Sequence, residues 1–206
     1  MSNNKKTPLP QRGPESHERR EQIIHVAIEH FSHYGYNKTS VGDIAKAIGV
    51  SNAYIYKFFS SKKDIAEVVC AETLAAFDKE LEVITDTEHN AAHKIRLMFK
   101  MLMCKSLELM SKEKKLHEIA ALSFENNWCS NNNHQATLFS LIEKVIVQGR
   151  EDGIFDRKAP LDEVCLAIRD TMLLISHPLL LEQKQESELD ESLIPITNMV
   201  LRSLAI

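Results

Sequence analysis

SVGDIAKAIGVSNAYIYKFF, residues 40–59, reads as two short amphipathic helices joined at Gly49. Ile44, Ile48, Val50, Ile55 and Phe58 are apolar where two crossed helices must bury side chains, and Ala45 is small where their backbones touch. Gly49 supplies the turn, a position where φ > 0 is cheap only for glycine. Ser40-Val41-Gly42-Asp43 fits a capping box, in which a hydroxyl and a carboxylate three residues apart satisfy free N–H groups at a helix start. Asn52, Ala53, Tyr54, Tyr56 and Lys57 remain on the outer face of the second helix. Two tyrosines suit a helix lying in a major groove, where hydroxyls reach phosphates and rings contact thymine methyls. The alternative is a plain helical hairpin whose tyrosines pack on the preceding helix.

On the N-terminal side, residues 1–15 are polar, contain Pro8, Pro10 and Pro14, and read as a disordered arm. Ser16 is placed to cap a helix over about 17–34, with Ile24, Ala27, Ile28 and Phe31 on one face and Gly35 as its stop. On the C-terminal side, Ser61-Lys62-Lys63-Asp64 repeats the capping pattern and opens a long helix to about Ile84. Further helices are predicted near 91–110, 113–129, 134–151, 160–180 and 189–204. Pro195 should kink the last one or delay its start. The fold class is therefore all-α, about nine helices. A three-helix unit over 16–66 is joined by the long fourth helix to a second helical region over 67–206.

The segment GYNKTSVGDIAKAIGVSNAYIYKFFSSKKDIAEVV resembles the DNA-binding domain of TetR-type transcriptional regulators over about residues 17–76. The resemblance rests on Gly35-Tyr36, Thr39-Ser40, Ile44-Ala45, Gly49-Val50-Ser51, Tyr56, Phe59 and Ser61-Lys62. Many members have Gly where Ala53 stands and a small hydroxyl residue where Tyr54 stands. The resemblance implies phosphate anchoring by Thr39 and Ser40 and backbone contacts by Tyr56 and Lys62. It places Ser51, Asn52, Ala53, Tyr54 and Lys57 at or near base edges. Lys62 also stands at a helix N-terminus, where the dipole favours an anion. Lys5, Lys6, Arg12, Arg19 and Arg20 could add phosphate or minor-groove contacts or form a solvated arm.

The resemblance also implies a homodimer built on the last two helices, a double-stranded DNA operator and an unidentified small-molecule effector. Leu161, Val164, Cys165, Ile168, Met172, Ile175 and Leu179 make one apolar stripe, and Leu189, Leu193, Ile196, Val200 and Leu204 another. Such stripes serve an internal core as well as an interface. For an effector pocket, His117, Phe124 and Trp128 recur at i, i+7, i+11 on one helix face, and His177 stands before Pro178. Leu97, Met101, Met103, Leu107, Phe139 and Met172 are apolar candidates beside them. Each of these residues also suits an ordinary core.

Charge agrees with a reading end on an acidic body. Residues 1–66 carry ten Lys/Arg against six Asp/Glu, whereas the whole chain has a net charge of −4. Cysteines at 70, 104, 129 and 165 have no zinc-finger spacing and read as reduced thiols of a cytoplasmic protein. No stretch approaches the ~20 apolar residues of a membrane span. No nucleophile–His–acid motif, phosphate loop or cofactor motif is present, so no enzymatic activity and no cofactor are expected. His30/His33 and His89/His93 have spacings a metal could bridge but read as surface pairs. The resulting expectation is a ligand-responsive repressor. The rival is a DNA-binding architectural protein of the same fold with no effector.

Overall fold

The computed structural model describes residues 14–206. Among them are ten helices. They are α1 (Pro14–Tyr34), α2 (Val41–Ile48), α3 (Asn52–Ile55), α4 (Lys62–Thr87), α5 (Ala91–Lys112), α6 (Lys114–Glu125), α7 (Cys129–Glu151), α8 (Leu161–Leu173), α9 (Pro178–Leu181) and α10 (Glu186–Leu204). The arm read over 1–15, with Lys5, Lys6 and Arg12, lies outside the described residues except at its end. There α1 already starts at Pro14, so Ser16 is inside the helix and caps nothing.

The first four helices form where local chemistry requires them. Ser40 and Asp43 close a reciprocal box: Ser40 N–H donates to Asp43 Oδ2 at 2.8 Å, and Asp43 N–H donates to Ser40 Oγ at 3.2 Å. The Ser40 hydrogen bonds hold the exposed Asp43 carboxyl below its ordinary pKa. Gly49 ends α2 in the left-handed region, φ 80°, as the turn demands. Ser51 accepts from Tyr54 N–H at 3.3 Å, and Ser61 accepts from Asp64 N–H at 3.1 Å. Ile44, Ala45 and Ile55 are fully buried, with Ile48, Val50 and Phe58 packed at their edge.

Two hydrophobic clusters share α4. The smaller joins Ile23, Ile24, Ala27 and Phe31 of α1 to α2, α3 and the first half of α4, and it includes Ile119 and Trp128 from far downstream. The larger begins at Phe77 and Leu81 on α4 and takes in α5, α7, α8 and α10. In it α4 lies along α7, α7 along α8, and α10 against α5. Gly149 allows the closest approach: a Cβ there would stand 2.1 Å from the Phe155 ring. Asp156 N–H then donates to Leu204 O at 2.8 Å, tying the end of α10 to the α7–α8 connection.

The downstream helices depart from the periodicity reading in four places. The helix expected over 113–129 stops at Glu125. Asn127 takes φ 50°, and α7 begins at Cys129 rather than near 134. Asparagine tolerates that conformation, and no glycine marked the stop. The helix expected over 160–180 splits into α8 and α9, because Pro178 disfavours helix at residue 177. This split raises the count from about nine to ten. In α10 the helix starts at Glu186 and continues past Pro195, which is exposed, so the proline does not delay its start. Finally, Cys165, Ile168, Met172, Ile175, Leu189, Val200 and Leu204 of the two terminal stripes are buried within this one chain. The apolar side chains left exposed on these elements are Leu166 and Leu174, and Ile194 and Met199 at 65% and 60% exposure. Among the described residues no helix is long and apolar enough to cross a membrane.

Candidate nucleic-acid interface and buried cavity

The outer surface around α2 and α3 gathers polar groups into one shallow depression. Ser40, Asn52, Tyr56 and Lys62 line it together with Asn37 and Lys38. Ser51, Asn52, Ala53 and Lys57 are exposed, and Tyr56 is 53% exposed. Tyr54 is half-buried: its ring leans on Phe58, with centroids 5.4 Å apart, and Lys57 Nζ lies 5.6 Å from its centroid. These contacts restrain the side chain while leaving part of it open to solvent.

Two of the expected phosphate contacts are arranged differently. Thr39 is only 2% exposed, and its hydroxyl donates to Gly35 O at 2.9 Å, with His30 O at 3.3 Å. Its hydroxyl holds the α1–α2 corner from inside, while the residue itself borders the depression. Its neighbour Ser40 does face solvent, with its hydroxyl donating to Asp43 at 2.6 Å. Lys62 lines the depression, but its ammonium donates to Tyr36 O at 2.9 Å and sits 4.1 Å from the Tyr36 ring centroid. An ammonium has three donors, so this bond leaves others for a phosphate. Arg20 lies over the Phe59 ring at 5.1 Å, and Arg19 bonds Gln22 at 2.9 Å.

A second feature lies between α4, α5, α6, α7 and the α8–α9 corner. There a narrow cavity is walled by Leu74 and Phe77 of α4, Leu102 and Leu109 of α5, Ala120 and Phe124 of α6, and Leu173 and Pro178. Its polar lining is Ser106, His117, Ser123, Asn131, His134, Gln135 and Ser176. Its volume for water-sized molecules is ≈ 40 Å³, space for roughly three waters. Of the residues expected in a pocket, His117 and Phe124 line it, and His177 stacks on Phe124 with centroids 4.2 Å apart. Burial pushes the His177 imidazole below its usual pKa, and its Nδ1 accepts from Leu179 N–H at 3.2 Å as the cap of α9.

Trp128 is not there. It is buried in the smaller cluster, edge-on to Tyr36 at 6.1 Å and with Lys63 Nζ 5.7 Å from its ring. The i, i+11 register with His117 fails because α6 ends before residue 128. Cys129 N–H next to it donates to Glu67 Oε2 at 3.1 Å, so the start of α7 is fastened to α4. On α5 the cavity is faced by Leu102, Ser106 and Leu109, whereas the expected Met103 and Leu107, like Met172 on α8, are buried in the larger cluster.

Periodicity missed the α7 residues of the cavity. Asn131, His134 and Gln135 are polar residues at i, i+3, i+4, a spacing that on sequence alone looks like a solvated face. His134 Nδ1 lies 2.6 Å from Asp78 Oδ1 across to α4. His117 is 2% exposed, with Nε2 3.2 Å from Glu182 Oε1 at an angle that makes no hydrogen bond. Burial pushes its pKa down, opposed in part by Glu182. Of the two spaced histidine pairs, His30 and His33 pack against Tyr34, and His93 Nε2 lies 3.6 Å from Glu88.

Known proteins place this architecture. A curated relative, the fatty acid metabolism regulator protein of Bacillus subtilis, is 32% identical over 77 residues, which are 37% of this chain and 40% of that protein. The matches to the first four curated relatives span 24% to 43% of those proteins' own length. Two solved structures match nearly end to end at low identity, which speaks to the fold. A TetR-family transcriptional regulator from Pectobacterium atrosepticum superposes with a TM-score of 0.75 at 17% identity, covering 93% of this chain and 96% of that one. The regulator FadR from Bacillus subtilis in complex with stearoyl-CoA gives 0.65 at 20% identity, covering 89% and 98%. The family described as "Bacterial regulatory proteins, tetR family" matches residues 23–69, and "Tetracyclin repressor-like, C-terminal domain" matches residues 91–196. With both its helix-turn-helix and more than half of its length covered, the chain belongs to the TetR family of bacterial regulators.

Proposed function

We propose that this chain is a ligand-responsive repressor that binds a two-fold DNA operator as a homodimer and is released by a small molecule. The observation that carries the DNA-binding part is the depression beside α3, where Ser40, Asn52, Tyr56 and Lys62 share one face. Ser40, Tyr56 and Lys62 would hold backbone phosphates, and Ser51, Asn52, Ala53, Tyr54 and Lys57 would lie at base edges. Thr39 would support the corner from behind. The exposed Leu166, Leu174, Ile194 and Met199 would meet their equivalents in a second copy, which sets two reading helices at a half-site spacing.

Ligand response is favoured over an architectural role by the cavity. It is too small for an effector as it stands, so occupancy requires its walls to move. Leu74 and Phe77 in that wall belong to α4, whose first half is part of the cluster beneath α2 and α3. Filling the cavity would therefore bias the angle of the reading heads, which is the differential affinity that release requires. The decisive test is selection of bound fragments from genomic DNA, followed by footprinting and sedimentation. A two-fold site protected by a dimer is expected. A folded monomer at micromolar concentration, or unspecific coating of DNA, would overturn the reading.

A further inference from the structure

The cavity lining bears on the chemistry of the effector. Among the described residues no Lys, Arg, Asp or Glu lines it. A buried carboxylate or phosphate would find no Lys or Arg there, and the nearby carboxylates of Glu182 and Asp78 each face a histidine, so a charged guest would be buried without a free counter-ion, which is strongly unfavourable. Two of the polar atoms that line it make no hydrogen bond. Gln135 Oε1 is buried with no hydrogen-bond partner. His117 Nε2 is buried 3.2 Å from Glu182 Oε1 in a geometry that makes no hydrogen bond. His134 faces the Asp78 carboxylate through Nδ1 at 2.6 Å. Buried unpaired polar atoms are rare in folded proteins, and two in one cavity point to a missing polar guest.

We propose that the effector is an uncharged molecule with a small apolar body and a hydroxyl at one end, seated between Phe77, Leu102 and Phe124 with the hydroxyl at Gln135 and His117. This rests on the reading of the cavity as the effector site. A hydroxyl both donates and accepts, so it satisfies the Gln135 amide in either orientation. The apolar walls accommodate a short chain or ring. The Asp78–His134 pair bridges α4 and α7 one residue from Gln135, so a guest bonded to Gln135 bears on that α4–α7 contact.

The test compares three probes of one size on the full chain at neutral pH: 1-hexanol, hexanoate and hexylamine. Thermal shift reads binding, and fluorescence anisotropy of a selected operator reads release. Hexanol is expected to raise the melting temperature and weaken operator binding at least tenfold, with the two ions having under a fifth of its effect. Gln135→Leu should remove most of the hexanol shift while leaving operator affinity without hexanol unchanged. A larger effect of hexanoate or hexylamine overturns the proposal in wild-type protein alone, whether or not the variant folds. No shift with any probe overturns it too. Operator binding measured without probes tests the DNA-binding reading separately, so the two failures are distinguishable.

Discussion

In α1–α3 and the start of α4 the helix starts and the first corner are tied by local pairs; around the cavity the ties are long-range. In the first, Ser40 meets Asp43, Ser51 meets Tyr54 N–H, Ser61 meets Asp64, and Thr39 meets Gly35 O, all within three or four residues. In the second, the pairs that matter span the chain. His134 reaches Asp78, Lys94 Nζ reaches Gln148 Oε1 at 2.6 Å, and Cys129 N–H reaches Glu67, while His117 Nε2 and Gln135 Oε1 make no hydrogen bond. Local satisfaction gives a rigid unit that holds α3 at a fixed angle. Long-range, incomplete satisfaction gives a region that can rearrange around a guest.

The largest test of that contrast uses one substitution at two sites. Phe31→Ala removes a fully buried ring from the tight cluster and should destabilise by about 4 kcal/mol. Phe124→Ala enlarges an existing cavity that water can enter, and should cost less than half as much. Equal losses in urea melts would erase the distinction. Trp128→Leu comes next, at about 2 kcal/mol, since the ring seals the tight cluster against α4 and α6. It should lower the melting temperature while leaving any effector response intact; loss of response with unchanged stability would put Trp128 back in the pocket.

Smaller again is Lys57→Ala, on the exposed face of α3. It should leave stability within about 0.5 kcal/mol, weaken operator binding several-fold, and relax base preference at the position it contacts. The smallest effect is in pH. Burial depresses the pKa of His117 below its free value of 6.5, so between the two values the unfolded chain binds the extra proton. Stability therefore rises with pH through that window and falls as pH drops below 6.5, with His177 acting in the same sense. Melting scans from pH 7.5 to about 5.5 should show this fall, and His117→Gln should flatten it; an unchanged slope would mean His117 is not the group responsible.

How far the sequence could be read follows the same divide. Residues 40–64 were legible because their constraints are short-range: capping pairs three residues apart, a glycine where φ must be positive, and alternating burial over single turns. The identity of the family and the outward face of α3 follow from those alone. Downstream, periodicity found the helices but not their ends, since Asn127 and the residue before Pro178 stop them without a glycine. It also could not divide the apolar stripes of α8 and α10 between internal core and exposed surface, because that depends on what packs over them. Only the tertiary structure decided that Trp128 belongs beneath the reading helices, that the Thr39 hydroxyl faces inward, and that Asn131, His134 and Gln135 line a cavity instead of facing water. The physical reason is range. A cap or a turn is fixed by neighbours a few bonds away, whereas a cavity is fixed by five segments whose side chains meet only after the chain has folded.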